Sequence, residues 1–193
     1  MGEPEEGCTT YFRLPTPVPV MQPFTAVHTH EGVVVPMRSE ADSLFNDGYG
    51  SREGSEVLTL DPCETLYNMD RGKIALVDEE ANVKLSFKEA LRLFTADDPS
   101  IWTRFIVYRD LRTRGFVARE ADETADFVVY ERGMYRKQPP SYHIKIISEG
   151  RPEKLDYILG DLKKTEERGR EFKLAVVDRR GEIVYYGLSE KTF

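Results

Sequence analysis

The spacing of hydrophobic positions changes several times along this chain, and each change marks an element. Through residue 58 the apolar residues fall in short runs bounded by turn formers: Val33-Val-Val35 stops at Pro36, and Asn46-Asp-Gly-Tyr-Gly50 is a cluster of turn residues. This segment reads as strands and turns. At Asp61-Pro62-Cys-Glu64 a capping Asp, a Pro at the first helical position and a Glu three residues after the cap predict a helix to about Arg71, stopped by Gly72. Lys73 to Val77 then reads as a strand.

Ser86-Phe-Lys-Glu89 repeats the capping pattern, with Phe87, Ala90, Leu91 and Phe94 on one helical face. Asp98-Pro99 opens a longer helix bearing Ile101, Phe105 and Tyr108 beside Trp102 and Ile106, closed by Gly115. Two strand segments follow, Asp126 to Glu131 and Tyr142 to Ser148, separated by a polar loop. Pro152 opens a fourth helix, with Leu155, Ile158, Leu159 and Leu162 at core spacing. The chain ends in a hairpin, Phe172 to Asp178 and Glu182 to Tyr186 around Arg179-Arg180-Gly181.

The expected fold is α+β: a β-rich N-terminal domain with its own helices over 1–97, then a C-terminal α/β domain over 98–193, a small mixed sheet flanked by helices. At 193 residues and 40% hydrophobic content the chain can bury one sizeable core or two modest ones. No apolar run reaches the roughly 18 residues of a membrane span, and the MGEPEEG start has no signal-peptide pattern, so a cytoplasmic location is expected. Cys8 and Cys63 lack close partners and read as isolated thiols. His28-Thr29-His30 share a strand face at alternate positions, but no third ligand follows, so a surface role is expected and neither metal nor cofactor.

The net charge of −7 hides a split: residues 1–100 carry 8 Lys and Arg against 18 Asp and Glu, and residues 101–193 carry 19 against 16. Any contact with a polyanion belongs to the second half. Its candidate phosphate-contacting set is Arg136, Lys137, Lys163, Lys164 and Arg168; a solvated charged face is the alternative.

Four segments, in order, resemble the archaeal tRNA-splicing (tRNA-intron) endonucleases. They are Leu60 to Ile74 (LDPCETLYNMDRGKI), Tyr108-Arg-Asp-Leu-Arg-Thr-Arg-Gly-Phe116, Asp126-Phe-Val-Val-Tyr130 followed by His143, and Leu174 to Tyr186 (LAVVDRRGEIVYY). The resemblance implies a C-terminal nuclease-like domain and metal-independent cleavage of precursor tRNA at intron boundaries. A bulge-helix-bulge would be recognised by shape, leaving a 2',3'-cyclic phosphate and a 5'-hydroxyl. It also implies assembly with a homologous subunit, as a homo- or heterotetramer or a dimer, for which the apolar terminal hairpin offers an edge. Tyr108, Arg109 and Arg112 are implied to maintain the fold.

Such cleavage needs a base for the 2'-hydroxyl, an acid for the leaving 5'-oxygen and a cation for the charge on phosphorus. The resemblance places the base on Tyr130, the acid on His143 and the family's lysine at Arg170. Each has a plainer reading: a packing tyrosine, a hydrogen-bonded structural imidazole, a solvated arginine at a helix end. Three departures are visible. Arginine stands for lysine at 170, with the nearest lysine, Lys173, inside the predicted strand. Ala121-Asp-Glu-Thr124 replaces a Phe-Lys-Phe-Gly pattern, and the usually acidic hairpin turn is Asp178-Arg-Arg-Gly181. Two readings stay open: a catalytic subunit with an unusual third member, or a non-catalytic subunit for assembly and RNA positioning.

Overall fold

The computed structural model describes residues 22–52, 57–121 and 125–190. A first five-stranded sheet is built from β1 (Phe24–Thr29), β2 (Gly32–Val35), β3 (Leu58–Leu60), β4 (Ile74–Asp78) and β5 (Val83–Leu85), in the order β3-β2-β1-β4-β5. Only β1 and β4 run parallel, with Ala26 opposite Leu76. The chain between them contains two helices besides β2 and β3. The first, α1 (Arg38–Asn46), lies where the sequence reads as strands and turns. Its periodicity rests on two buried residues, Ala41 and Leu44, and no side chain caps its start, so little in the pattern announces it. The second, α2 (Pro62–Asp70), carries the predicted capping box: Asp61 accepts the Glu64 N–H at 2.8 Å and Glu64 accepts that of Asp61 at 3.2 Å.

The helix α3 (Phe87–Asp97) starts on the Ser86 capping box, and α4 (Ile101–Thr113) follows after Asp98. A second five-stranded sheet contains β6 (Val117–Glu120), β7 (Phe127–Tyr130), β8 (Tyr142–Ser148), β9 (Glu171–Val177) and β10 (Ile183–Leu188), in the order β10-β9-β8-β7-β6. Here β8 and β9 are the parallel pair, and α5 (Leu155–Glu167) crosses between them. The pattern marks no strand at β5 (Val83-Lys-Leu85) or β6 (Val117-Ala-Arg-Glu120), whose polar and charged residues leave too little apolar signal in three and four residues. On α5 the expected core positions divide: Leu162 is buried and Ile158 half-buried, whereas Leu155 and Leu159 are 66% and 45% exposed, and Thr165 is buried beside Leu162.

One continuous apolar cluster joins both sheets. Within it α2 packs against α4, and Tyr67 meets Tyr108 edge to face at 5.7 Å. Residues 63–68 of α2 are all buried, Glu64 included. That carboxylate accepts Arg119 Nη1 of β6 at 2.9 Å and the Gly50 N–H at 2.9 Å, while the same guanidinium donates to the Gly50 carbonyl at 2.6 Å. Gly50, at φ +70°, admits no side chain: a Cβ would lie 2.6 Å from Leu58. Arg112 donates to the Asp47 carbonyl at 2.9 Å and covers the Tyr49 ring. Arg136 donates to the Phe45 carbonyl at 2.9 Å over the Phe45 ring.

Burial, aided by the Asp61 carboxylate, pushes Glu64 up from 4.5 to about 8 against the pull of Arg119 and two backbone N–H groups. A carboxyl raised on folding stabilises most below pH 4.5 and loses that contribution as pH climbs through about 8. Arg119→Met removes the pairing cation and lifts the group further. The substitution should therefore lower the unfolding free energy by about 3–5 kcal/mol at pH 9, where Glu64 is buried unpaired, and by less at pH 5, where it takes up a proton. Urea unfolding at both pH values measures this, and an equal loss at each would contradict it.

Candidate active site

Alternation along β7 decides which side chains meet. Phe127 and Val129 are buried towards α4, so Val128 and Tyr130 point to the other side of the sheet. His143 stands directly opposite Val128, and Phe172 directly opposite His143. All of these share the face that α5 covers. Tyr130 is therefore a diagonal neighbour of His143, at a Cα spacing of roughly 7–8 Å, and its ring packs edge to face on Tyr135 at 5.0 Å. The β7, β8 and β9 register brings Tyr130, His143 and Arg170 to one end of one sheet face.

The imidazole there is shut away from solvent. His143 is fully buried beneath α5. Its Nδ1 lies 3.2 Å from the hydroxyl of Thr165, itself fully buried, and its Nε2 lies 2.5 Å from Arg170 Nη1. A guanidinium can only donate, so Nε2 presents its lone pair and the ring is neutral in this arrangement. The ring proton then sits on Nδ1 and points at the threonine. Arg170 reaches the site because the chain turns tightly after α5 through Gly169, at φ +69°, and Arg170 N–H bonds back to the Thr165 carbonyl at 3.2 Å.

Lys173 cannot exchange places with Arg170. It lies opposite Ile144, on the α4 side of the sheet, with its Nζ 3.9 Å over the Tyr142 ring and 3.5 Å from Glu171. Tyr142 itself donates to Glu131 at 2.8 Å, and that hydrogen bond pushes its hydroxyl up to about 12. Tyr142, Ile144 and Lys173 line a cavity of about 180 Å³ with Phe116 and Tyr185, separated from His143 by the sheet.

The basic candidates divide. Lys163, Lys164 and Arg168 are exposed on and just after α5, the helix that roofs His143, and Lys137 is exposed in the β7–β8 loop. Arg136 is exposed too, but its guanidinium is committed to the Phe45 carbonyl and ring. Of the Ala121 to Thr124 segment, residues 122–124 lie outside the described residues. Thr165 went unnoticed in the sequence, because a threonine inside a charged helix carries no signal of a partner 22 residues away. Among the described residues no three His, Cys, Asp or Glu side chains gather as metal ligands.

Comparison with known proteins matches the two halves in turn. Residues 26–91 match the tRNA intron endonuclease N-terminal domain, and residues 101–185 match the tRNA intron endonuclease catalytic C-terminal domain. A tRNA-splicing endonuclease of Thermococcus onnurineus is 31% identical over 153 residues, covering 77% of this chain and 87% of that protein. The chain belongs to the tRNA-splicing endonuclease family. A relative of the same name from Methanococcus vannielii is 29% identical over 159 residues, 82% of this chain and 89% of its own length. Against the Methanococcoides burtonii tRNA-splicing endonuclease the identity is 34% over 146 residues, 75% of this chain but only 40% of that protein. Some members of this family are thus far longer than the stretch they share with the present chain.

Within this tRNA-splicing endonuclease domain the hydrogen bonds fix the histidine's tautomer. Long-range proton–nitrogen correlation of His143 should show a ring protonated at Nδ1 with a bare Nε2 at neutral pH. A ring protonated at Nε2 would mean that Arg170 does not hold it.

Proposed function

We propose that this chain is a non-catalytic subunit of a tRNA-splicing endonuclease, which helps assemble the particle and position precursor tRNA while a homologous partner supplies the competent triad. The reaction of the particle is cleavage at intron boundaries in a bulge-helix-bulge. The 2'-hydroxyl attacks the adjacent phosphorus, the 5'-oxygen departs with a proton, and a 2',3'-cyclic phosphate and a 5'-hydroxyl remain. One observation carries the subunit assignment: the histidine that would protonate the leaving oxygen is fully buried, with Arg170 on its Nε2 and Thr165 beside its Nδ1.

No other imidazole is at hand. The chain has three histidines, and His28 and His30 belong to the first sheet, in and just after β1. A general acid must reach within about 3 Å of the oxygen it protonates. For His143 that requires Arg170 to leave and the α5 roof to open. The rival reading, in which this chain cleaves, draws support from the meeting of Tyr130, His143 and Arg170 on one sheet face. Arg170 could then serve the phosphorane, but only after releasing the imidazole. Recognition of unstacked bulge bases suits either reading, since the A-form major groove is closed to side chains.

Association with a sister subunit draws on β10, an edge strand with Val184 and Tyr186 each about half exposed. No helix among the described residues is long and apolar enough to cross a membrane.

In the complete assembly, His143→Ala should leave cleavage of a bulge-helix-bulge RNA within several-fold of wild type, and Arg170→Lys should change nothing. A loss of roughly 100- to 10,000-fold from His143→Ala, the range for a general acid, would make this chain the nuclease. The proton transfers involved need no metal, so cleavage should also survive EDTA. Activity lost on chelation and restored by magnesium would remove the proposed mechanism.

A further inference from the structure

A groove on the far side of the second sheet is not used by the reading above. It lies between the outer face of α4 and the β9–β10 turn, as two adjoining cavities of about 340 and 330 Å³ that share Ile106, Arg109 and Gly181. Trp102, the sole tryptophan of the chain, stands at its wall, 48% exposed and tilted against Phe105 at 5.7 Å. Arg179 and Arg180 rise from the turn, both exposed, and Arg109 lies over the Phe105 ring at 5.5 Å.

Two carboxylates, Asp110 and Asp178, line the groove as well, and each is engaged by neighbouring donors. Asp178 accepts the N–H groups of Arg180 and Glu182 at 2.8 Å each, and Glu149 accepts the backbone N–H of Arg179 at 3.3 Å. Asp110 is held by the Tyr185 hydroxyl at 2.8 Å and by Arg114 at 2.9 Å. Glu182 is exposed beside the turn. Among the described residues, the side chains of Arg109, Arg179 and Arg180 make no ion pair. Arg109, Arg179 and Arg180 thus line one concave surface together with Trp102.

From this geometry we infer that the groove binds a single-stranded segment of RNA, its phosphates on Arg109, Arg179 and Arg180 and an unstacked base on Trp102. This rests on the RNA-positioning function proposed above and assigns that function a surface. Guanidinium forks pair with phosphate oxygens, and an exposed indole is a sequence-tolerant platform for a base. The turn lies roughly 25 Å along β9 from Arg170, at about 3.3 Å per residue. A strand held here therefore lies well away from the Tyr130, His143 and Arg170 end of the sheet. The reversed charge of the hairpin turn, Asp178-Arg-Arg-Gly181 where the resemblance leads one to expect acids, acquires a purpose in this setting.

The sole tryptophan makes the test direct. Emission of the full chain is titrated with a short oligouridylate and with a bulge-helix-bulge RNA at several salt concentrations, with filter retention as an independent measure of binding. Saturable quenching by both RNAs, weakening with salt, is expected. The double variant Arg179→Glu, Arg180→Glu, its fold checked by circular dichroism, should bind oligouridylate roughly tenfold or more weakly. Its slope of log affinity against log salt should flatten by about 1.4, at about 0.7 per single-strand phosphate contact. Retention of RNA with no change in emission would overturn the groove while leaving the proposed function standing. Quenching by a homologous subunit but not by RNA would also overturn it, and make the groove a protein interface. If neither chain nor assembly retains any RNA, the function proposed above fails together with it.

Discussion

The negative end of a short helix, and what grips it, governs how this molecule is put together. The last carbonyls of α1 take backbone N–H groups from the residues that follow, Asp47 onto Ser43, Tyr49 onto Leu44 and Gly48 onto Phe45, but a carbonyl oxygen can accept a second donor and the helix dipole leaves partial negative charge there. Three arginines from the second half use that end and the loop beyond it: Arg136 at the Phe45 carbonyl, Arg112 at that of Asp47 and Arg119 at that of Gly50. Arg119 also meets the buried Glu64, so α2, the loop and β6 are tied at one point. The relative placement of the two sheets follows from this grip as much as from the shared apolar cluster. It explains why arginines in a half of positive charge are not all available to a polyanion. Arg136 is the clearest case.

A catalytic imidazole and a structural one place opposite demands on their surroundings. The first needs a substrate oxygen within reach and a ring free to exchange protons. The second needs its two nitrogens satisfied inside the fold, because a buried polar atom without a partner costs about 1–3 kcal/mol. His143 meets the second demand: a hydroxyl on one side, a guanidinium on the other and no exposed surface of its own. Lysine and arginine are not interchangeable here. A lysine is a compact charge that can sit back towards a phosphate, whereas the longer planar arginine lies against the ring and covers it.

Much of the architecture was legible where local chemistry is explicit. Asp61 with Glu64, and Ser86 with Glu89, announce their helices because a capping box needs only neighbours in sequence. The strands holding Tyr130 and His143 could be placed for a similar reason, since alternation is local. What escaped depends on distance. Nothing near Glu64 signals that Arg119, 55 residues on, will meet it, and nothing near Thr165 signals His143. On α5, Ile158 and Leu162 turn inward as their spacing predicts, but Leu155 and Leu159 do not; periodicity says which residues share a face without saying whether anything lies under it. Arg170 was found through resemblance, and only the structure shows that it faces inward onto the ring.

The contact among Thr165, His143 and Arg170 also bears on reversibility in evolution. Replacing the arginine alone leaves Nε2 buried and unanswered, and replacing the histidine alone strands a hydroxyl and a guanidinium beneath α5. Each single step towards an open site passes through a less stable protein, while the paired steps confer nothing until both are made. If the chain is the non-catalytic subunit proposed above, its own packing holds it on that side of the division of labour, whatever selection later asks of its partner.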